Sequence, residues 1–312
     1  LVFMSPAATP WTAVCCIGKA TGLTALCSDG RLRPASLIHL NSGPGIEMTT
    51  FPKAGLAVIT GASSGIGAVY ADRLAKQDLP LLLIARRMDR LRALAEALQT
   101  KYRVPVEVMS ADLVKGDDLA RVEARLEREQ ISVLVNNAGV GGLGPTAKAS
   151  REKMEDVVKL DVVALMRLTH AALVGFRERD EGVLINIGSV IAFAPSAGGA
   201  VYAGSKAFVM NFTRSLQMEY AKTPIRIQLV MPGPVRTEFF SSQGMSDSIF
   251  PDCAFLSAEQ LVDAAMADLH SGQVVSTPAI ADPQTWTNLE TARTDYLAAN
   301  MSGRLGPRYS IL

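Results

Sequence analysis

Residues 56–67 read "LAVITGASSGIG", and this stretch decides the fold. It opens with apolar, partly β-branched residues, which are typical of a strand buried on both faces. Gly61, Gly65 and Gly67 follow in a G-x-x-x-G-x-G spacing, ahead of an amphipathic helix. Such glycines permit a tight bend, a close approach of backbone to a pyrophosphate, and close packing of helix on strand. Glycines also occur in turns that bind nothing, so the position between strand and helix is what favours a dinucleotide site.

The pattern of the first strand recurs along the chain. Further apolar runs are "LPLLLIA" (79–85), "VEVM" (106–109), "SVLVN" (132–136), "VLINIG" (183–188), "IRIQLVM" (225–231) and "QVVST" (273–277). Between these runs lie segments whose apolar residues recur at helical spacing. Examples are Leu91, Leu94 and Leu98, then Leu119, Val122 and Leu126, and a longer helix over about residues 151–176. Strand and helix alternate about seven times. This predicts an α/β fold: a Rossmann-type, doubly wound parallel sheet of about seven strands with helices on both faces.

Composition excludes several classes of partner. The net charge of +1 provides no basic field for nucleic acid. The apolar run 81–85 is far too short to span a bilayer. The cysteines (15, 16, 27 and 253) have neither zinc-ligand spacing nor a disulfide pattern, so we expect no metal site and a reduced, cytoplasmic protein.

The first 47 residues differ from the rest. They have no clear period, and they lack the basic start and apolar stretch of a secretory signal. With few acidic residues, they weakly resemble an organelle transit segment. A disordered or non-native extension is the favoured interpretation, with a single catalytic domain over residues 48–312. A chain that starts at Met48 is then expected to fold and to bind its dinucleotide.

The end of the second strand bears on the choice of cofactor. An acidic residue at this point would bind the 2′-hydroxyl of NAD, whereas a basic residue would accept the 2′-phosphate of NADP. Here Ala85 takes the acidic position, and Arg86 and Arg87 follow. These arginines are also suited to be solvated charges at the start of the next helix. The missing acid favours NADP(H) over NAD(H), with Arg86 as the phosphate-binding residue.

Two further strand ends carry polar residues. Asp112, in "SADL", is suited either to cap the next helix or to bind an adenine amino group. "NNAG" (136–139) suits an irregular turn that satisfies its own backbone polar groups.

Together these motifs resemble the short-chain dehydrogenase/reductase family. "TGASSGIG", "NNAG", Ser189, "YAGSK" (202–206) and "PGPVRT" (232–237) occur in the family's order and spacing, over nearly all of residues 54–277. The tail resembles those of poorly characterised bacterial, NADP-dependent members. The resemblance implies a nicotinamide cofactor, interconversion of a carbonyl and an alcohol, and a homodimer or homotetramer.

Tyr202 and Lys206 lie at i and i+4, so their side chains share one helix face. A free Tyr has a pKa of about 10, and a nearby ammonium lowers that value toward the working pH of a proton donor. The hydroxyl of Ser189 is expected to hold the substrate oxygen beside the phenol. By resemblance, Lys206 also binds the nicotinamide ribose. Read without the other motifs, Tyr-x-x-x-Lys is a frequent chance pattern.

Asp161 departs from the family pattern, which commonly has Asn at this place. The family's Asn kinks the helix and holds a water on the proton route to the lysine. An Asp is able to act through its backbone carbonyl, or as a buried charge close to Lys206. The need for a kink favours the backbone role, which predicts that Asp161→Asn leaves the pH profile in place.

A long loop at residues 238–256 follows "PGPVRT" and is predicted to border the substrate. Its apolar residues are Phe239, Phe240, Met245, Ile249, Phe250 and Phe255. These residues are suited either to contact an apolar substrate or to pack over the protein core, and the sequence leaves both interpretations open.

The sequence therefore predicts an NADP(H)-dependent oxidoreductase with a small carbonyl or alcohol substrate. The alternative is an NADP-binding regulatory or scaffold protein with little turnover. The predicted catalytic residues are Ser189, Tyr202, Lys206 and Asp161. The predicted cofactor-binding residues are Gly61, Ser63, Ser64, Gly65, Ile66, Gly67, Arg86, Asp112, Leu113, Asn137, Ala138, Gly139, Tyr202, Lys206, Pro232, Gly233, Val235 and Thr237.

Overall fold

A computed structural model describes residues 51–52, 54–195, 197–244 and 250–309. The strands are β1 (Leu56–Thr60), β2 (Leu81–Ala85), β3 (Val106–Ser110), β4 (Ile131–Asn136), β5 (Val183–Ile187), β6 (Arg226–Val230), β7 (Val235–Arg236), β8 (Leu256–Ser257) and β9 (Val275–Ser276). The α-helices are α1 (Gly65–Ala75), α2 (Met88–Tyr102), α3 (Gly116–Arg128), α4 (Arg151–Val158), α5 (Leu165–Arg179), α6 (Ala200–Glu219), α7 (Ala258–His270) and α8 (Gln284–Asn300).

The main sheet has seven strands in the order β3-β2-β1-β4-β5-β6-β9, and the pairings are parallel. The order reverses at β1, which is the switch point of a doubly wound sheet, where ligands of such folds bind. β7 and β8 form a separate two-stranded pair, which joins the two ends of the loop at 238–256. The predicted Rossmann-type fold is confirmed.

Apolar residues cover both faces of the sheet. Ala57 and Ile59 of β1 belong to the cluster that α1, α2 and α7 cover. Val58, between them, belongs to the cluster that α3 and α5 cover. Side chains alternate across a strand, so each central strand needs apolar residues in both positions. This is why the strands read as continuous apolar runs.

The largest differences from the sequence-based bounds occur at three elements. β2 begins after Pro80, which lacks the N–H of a strand residue. β9 is confined to the residues that pair with the end of β6. The long helix predicted over 151–176 extends to Arg179 and contains a π-helical segment, Lys159–Ala164, between α4 and α5.

The chain divides into two compact units. Both sheets lie in the unit that ends at Ala279, and α8 lies in the other unit, from Ile280 onward. The predicted single domain over 48–312 stays a prediction, and the predicted extension over residues 1–47 lies outside the described residues. None of the helices that the structure describes is long and apolar enough to cross a bilayer.

Candidate active site

The glycine turn connects β1 to α1 as the sequence predicts. Gly61 and Gly65 have φ angles of +66° and +55°, in the region that glycine adopts most readily. Gly67 packs closely, since a Cβ there would lie 2.5 Å from both the side-chain nitrogen of Asn137 and the carbonyl oxygen of Gly61. Substitution of these glycines would therefore displace both the turn and the neighbouring "NNAG" segment.

The start of α1 has the features of an anion site. Ser64 precedes the helix, and its side chain caps none of the first N–H groups. The Ser63 and Ser64 hydroxyls lie 3.1 and 2.9 Å from Nη2 of Arg87. Free N–H groups at a helix N-terminus, two hydroxyls and a guanidinium form a donor set that suits a phosphate. These residues fit a dinucleotide cofactor.

Arg87, rather than Arg86, contacts this turn. Arg87 is half-exposed and also pairs with Glu238. Arg86 is exposed, and its main-chain oxygen accepts a hydrogen bond from Ser110. The predicted cofactor-binding set omits Arg87, although the doubled arginine in "LIARRMDR" was the signal for it.

Asp112 does not cap α3. The residue before that helix is Lys115, and the helix has no side-chain cap. The Asp112 carboxylate instead accepts the N–H of Val114 at 3.3 Å, within its own turn. The capping interpretation is therefore wrong, and the adenine interpretation stays a prediction. Leu113 is buried beside it.

The "NNAG" segment is hydrogen-bonded to the end of β1. Asn137 donates to the carbonyl oxygens of Thr60 (2.9 Å) and Gly61 (3.2 Å). The main-chain N–H groups of Asn137 and Ala138 both donate to the Thr60 hydroxyl at 3.0 Å. Asn136 lies deeper and donates to Asn186 on β5 at 3.0 Å. The segment thus ties the central strands together beneath the glycine turn.

Ser189, Tyr202 and Lys206 meet at the carboxyl end of β5. Ser189 follows the strand, and its hydroxyl accepts the N–H of Ile191 at 3.3 Å; the same hydroxyl lowers the pKa of the nearby Tyr202 phenol. Tyr202 and Lys206 lie on α6, with the Lys206 ammonium 5.6 Å from the centre of the tyrosine ring. Lys206 also donates to the carbonyl oxygen of Ile187 at 3.3 Å. The structure therefore brings the predicted catalytic side chains into one cluster.

Asp161 joins this cluster through its side chain. Its carboxylate is buried, with Oδ2 3.2 Å from Nζ of Lys206. Its other oxygen accepts the main-chain N–H of Val140 at 2.8 Å. Asp161 also lies in the π-helical segment, so the expected irregularity of the helix is present. The structure therefore favours the second interpretation, a buried charge close to Lys206, over the backbone role that the sequence favoured.

Burial and charge act against each other in this cluster. Burial raises the pKa of Tyr202; the Lys206 ammonium lowers it, the Asp161 carboxylate raises it, and the net pKa lies above the ordinary value. Burial lowers the pKa of Lys206, but Asp161 and Tyr202 raise it above its ordinary value. Burial raises the pKa of Asp161 against the opposing effects of Lys206 and the Val140 N–H. An N–H donor on one carboxylate oxygen and an ammonium beside the other favour the ionised pair.

Three of the remaining predicted cofactor residues contact the glycine turn or the neighbourhood of this cluster. The carbonyl oxygen of Pro232 accepts the N–H of Val190 at 3.0 Å. Thr237 lies against the turn, because a Cβ on Gly65 would be 2.9 Å from its methyl carbon. Gly139 borders the ion pair, since a Cβ there would be 3.3 Å from Asp161 Oδ1. The other members of this set are Ile66 and Gly233, half-buried, and Val235, buried on β7.

The loop at 238–256 has two kinds of apolar residue. Phe240 is buried, and its ring contacts those of Phe239, Phe250 and Phe255 at centroid distances of 5.4, 5.8 and 6.2 Å. Phe239 is half-buried, with its ring centre 5.7 Å from that of Tyr202. The loop thus has a small core of its own and presents one aromatic ring to the catalytic cluster. Met245 and Ile249 lie outside the described residues.

A parallel, doubly wound sheet with a glycine turn at its switch point defines a dinucleotide-binding protein. The polar cluster of Ser189, Tyr202 and Lys206 lies at the carboxyl end of β5, at the same edge of the sheet. Comparison with known proteins agrees with this class.

The family described as short chain dehydrogenase matches residues 55–247. The 17-beta-hydroxysteroid dehydrogenase type 3 of Danio rerio is 33% identical over 221 residues, which are 69% of this chain and 70% of the relative. A human protein named inactive hydroxysteroid dehydrogenase-like protein 1 is 32% identical over 184 residues, which are 58% of this chain and 56% of the relative. The chain thus spans little more than half the length of some curated relatives.

Solved structures cover the chain more fully. A short-chain dehydrogenase from Sphingobium yanoikuyae in complex with NADPH is 36% identical, with a TM-score of 0.77, over 81% of this chain and 99% of the other. A bulky-bulky ketone specific alcohol dehydrogenase from Comamonas testosteroni is 33% identical, with a TM-score of 0.75, over 83% of this chain and 100% of the other. The chain belongs to the short-chain dehydrogenase family, which places it among the oxidoreductases that act on CH–OH and C=O groups.

Proposed function

We propose that this chain is an NADP(H)-dependent oxidoreductase that interconverts a carbonyl and an alcohol. The observation that carries the proposal is the cluster of Ser189, Tyr202 and Lys206, which lies at the same edge of the sheet as the glycine turn. In open α/β sheets this edge is where ligands bind. The proposal concerns chemistry at one site rather than the fold, which many functions share.

The N–H groups at the start of α1 suit the cofactor's pyrophosphate, and Arg87 with the hydroxyls of Ser63 and Ser64 suits a 2′-phosphate. Asn137 and Ala138 lie against Gly61, and Thr237 lies against Gly65. When bound, the nicotinamide supplies or accepts a hydride at the substrate carbon. The residues of the chain then have to position the substrate oxygen and to handle its proton.

Tyr202 is the proposed proton donor for carbonyl reduction and the proton acceptor for alcohol oxidation. The Ser189 hydroxyl is close enough to the phenol to lower its pKa, so a substrate oxygen bound between the two hydroxyls would receive both contacts. Preorganised donors of this kind stabilise the charge that develops on that oxygen. The Lys206 ammonium lowers the pKa of the phenol and brings proton transfer closer to neutral pH.

Asp161 acts in this scheme as a positioning residue. Its carboxylate holds Nζ of Lys206 at 3.2 Å and prevents the buried ammonium from being unpaired. The same charge raises the pKa of Tyr202, so the phenol titrates at higher pH than it would beside an amide. The Asp at this place therefore favours a proton donor that stays protonated to higher pH.

A preference for NADP(H) over NAD(H) is part of the proposal. It is supported by the absence of an acid at the end of β2 and by the contacts of Arg87 with the serines of the glycine turn. The NADPH bound to the Sphingobium protein is consistent with it. We include Arg86 as a second contributor because it is exposed at the same strand end.

The proposed substrate is a small apolar ketone, aldehyde or alcohol. Phe239 beside Tyr202 supplies an apolar contact next to the reacting oxygen. The ketone-specific relative from Comamonas supports a carbonyl substrate. The predicted homo-oligomer and the predicted cytoplasmic location are kept as parts of the proposal, on the basis of the family resemblance and the sequence.

The experiment measures NADPH and NADH oxidation with a panel of ketones, aldehydes and quinones, together with the affinity of each cofactor. We expect turnover with at least one carbonyl and tighter binding of NADPH. Arg87→Ala is expected to weaken NADPH binding while leaving NADH binding nearly unchanged. Equal affinities of the parent for both cofactors at moderate salt would contradict the NADP(H) preference.

The second candidate is a cofactor-binding protein with little turnover. The human relative whose name includes "inactive" makes this a real alternative, and so does the carboxylate at Asp161. The same panel separates the two functions. Tight binding of NADPH without turnover on any substrate, in the presence of an intact Ser189–Tyr202–Lys206 cluster, would favour the second candidate.

A further inference from the structure

Glu238 is the first residue of the loop at 238–256, and its carboxylate lies between two arginines. Oε2 accepts from Nη1 of Arg87 at 2.9 Å, and both carboxylate oxygens lie 2.7 Å from Nη1 of Arg90. All three side chains are half-exposed, at 42–47% of their area. The two guanidinium groups hold the pKa of the Glu238 carboxyl below its ordinary value, so it is an anion at neutral pH.

This contact joins distant parts of the chain at the cofactor cleft. Arg87 and Arg90 lie at the start of α2, directly after β2. Glu238 follows Thr237, which lies against Gly65 of the glycine turn. Arg87 also contacts the hydroxyls of Ser63 and Ser64. The Glu238 carboxylate is thus held by the arginine that borders the proposed phosphate site.

The donors around Glu238 suit a more highly charged anion than a carboxylate. A phosphate monoester carries about −1.5 to −2 charges at neutral pH and has three strong acceptor oxygens. Arginine binds such a group through paired, charge-assisted hydrogen bonds. Exposed ion pairs contribute little to stability, so replacing Glu238 by a phosphate at these arginines costs little free energy.

We propose that Glu238 is an intramolecular competitor for the 2′-phosphate of NADP(H): it occupies Arg87 and Arg90 in the free protein and is displaced when the phosphate binds. The proposal rests on the proposed NADP(H)-dependent function and adds a residue that sets the strength of the cofactor preference. NAD(H) has a hydroxyl in place of the phosphate, so its binding does not require the displacement. Glu238 therefore lowers the affinity for NADP(H) selectively.

The test compares the full chain with its Glu238→Gln variant, which keeps the shape of the side chain and removes its charge. Affinities are measured by isothermal titration for NADPH, NADH, adenosine 2′-monophosphate and adenosine 5′-monophosphate. We expect the variant to bind NADPH and the 2′-monophosphate about threefold to tenfold more tightly, as the loss of two exposed ion pairs allows. Binding of NADH and of the 5′-monophosphate is expected to change by less than about twofold.

Asp252→Asn is the matched control. Asp252 lies on the same loop and pairs with Arg236 at 2.8 Å, so the substitution removes an equivalent charge from a different arginine. This control is expected to leave the ratio of NADPH to NADH affinity unchanged. Glu238→Ala, measured in parallel, is expected to reproduce the effect of Glu238→Gln and guards against a contact specific to the amide.

Each outcome has one meaning. A parent protein that binds neither NADPH nor NADH contradicts the proposed function. A parent that binds NADPH, with no tightening in either Glu238 variant, overturns the competition by Glu238 and leaves the proposed function standing. Equal tightening for NADPH and NADH also overturns it, because a general change in charge would then explain the result.

Discussion

Two groups of ionised side chains lie near the proposed cofactor site, and they differ in burial. The pair of Lys206 and Asp161 is almost dry, with side-chain exposures of 8% and 0%. The group of Arg87, Arg90 and Glu238 is open to water, with exposures of 42–47%. Both are ion pairs with nitrogen–oxygen distances of about 3 Å.

The difference in burial gives them different roles. A buried charge that loses its partner has no water to replace it, so the inner pair is held in place and acts on the pKa of its neighbours. An exposed pair is screened and easily exchanged, so the outer group is free to accept an anion from a ligand. Phe239, which follows Glu238 in the chain, contacts Tyr202, so a single peptide links the two regions.

The largest effect is expected on stability when the inner pair is broken. Asp161→Ala adds no volume, and it leaves the Lys206 ammonium without its counter-charge and the Val140 N–H without its acceptor. We expect the free energy of unfolding to fall by about 3–5 kcal/mol, measured by chemical denaturation. The control Asp263→Asn breaks the exposed pair with Arg73 and is expected to cost about 0–1 kcal/mol. Equal losses in both variants would remove the distinction between buried and exposed pairs.

The next effect is on turnover at the inner cluster. Tyr202→Phe removes only the phenol oxygen, so the fold and the cofactor affinity are expected to survive. Turnover is expected to fall by about 10² or more, the scale of losing a general acid. Tyr220→Phe, at the far end of the same helix, serves as the control and is expected to retain activity. Near-normal turnover of folded Tyr202→Phe would refute the proposed role.

A smaller effect is expected on the pH profile when the inner pair loses its charge and keeps its shape. Carbonyl reduction needs the protonated phenol, so activity is lost as the pH rises through the pKa of Tyr202. The Asp161 carboxylate raises that pKa, and Asp161→Asn removes this effect. The high-pH limb of kcat/KM for reduction is therefore expected to move to lower pH in the variant. If the high-pH limb of kcat/KM stays in place, the result would support the interpretation that only the backbone of Asp161 matters.

The smallest effect is expected on stability when the outer group is broken. Glu238→Gln is expected to leave the midpoint of chemical unfolding where it is in the parent, because water replaces the lost contacts. A clear drop in this midpoint would show that Glu238 stabilises the fold. The outer group would then contribute to stability as the inner pair does.

Much of the site could be predicted from local sequence. Gly61 and Gly65 adopt positive φ angles where the spacing predicted a turn, and Gly67 lies where no Cβ fits. Tyr202 and Lys206 share a helix face because the helical repeat dictates it. Apolar runs revealed the strands, since a sheet covered on both faces requires them.

The sequence is ambiguous where a side chain has more than one partner within reach. Asp112 looked suited to cap a helix, but the chain inserts a turn before α3 begins, and the carboxylate bonds within that turn. Arg86 and Arg87 are neighbours, and only the direction of the chain after β2 decides which of them contacts the serines of the glycine turn.

The sequence alone specifies the order of strands and helices, the glycine turn and the spacing of Tyr202 and Lys206, because these depend on neighbours along the chain. Only the tertiary structure decides that the Asp161 carboxylate pairs with Lys206 and that the Glu238 carboxylate pairs with Arg87 and Arg90. Both contacts join residues from different elements, and their strength depends on how much water the packing excludes. Burial of that kind is a property of the assembled sheet and helices, and no local pattern of residues encodes it.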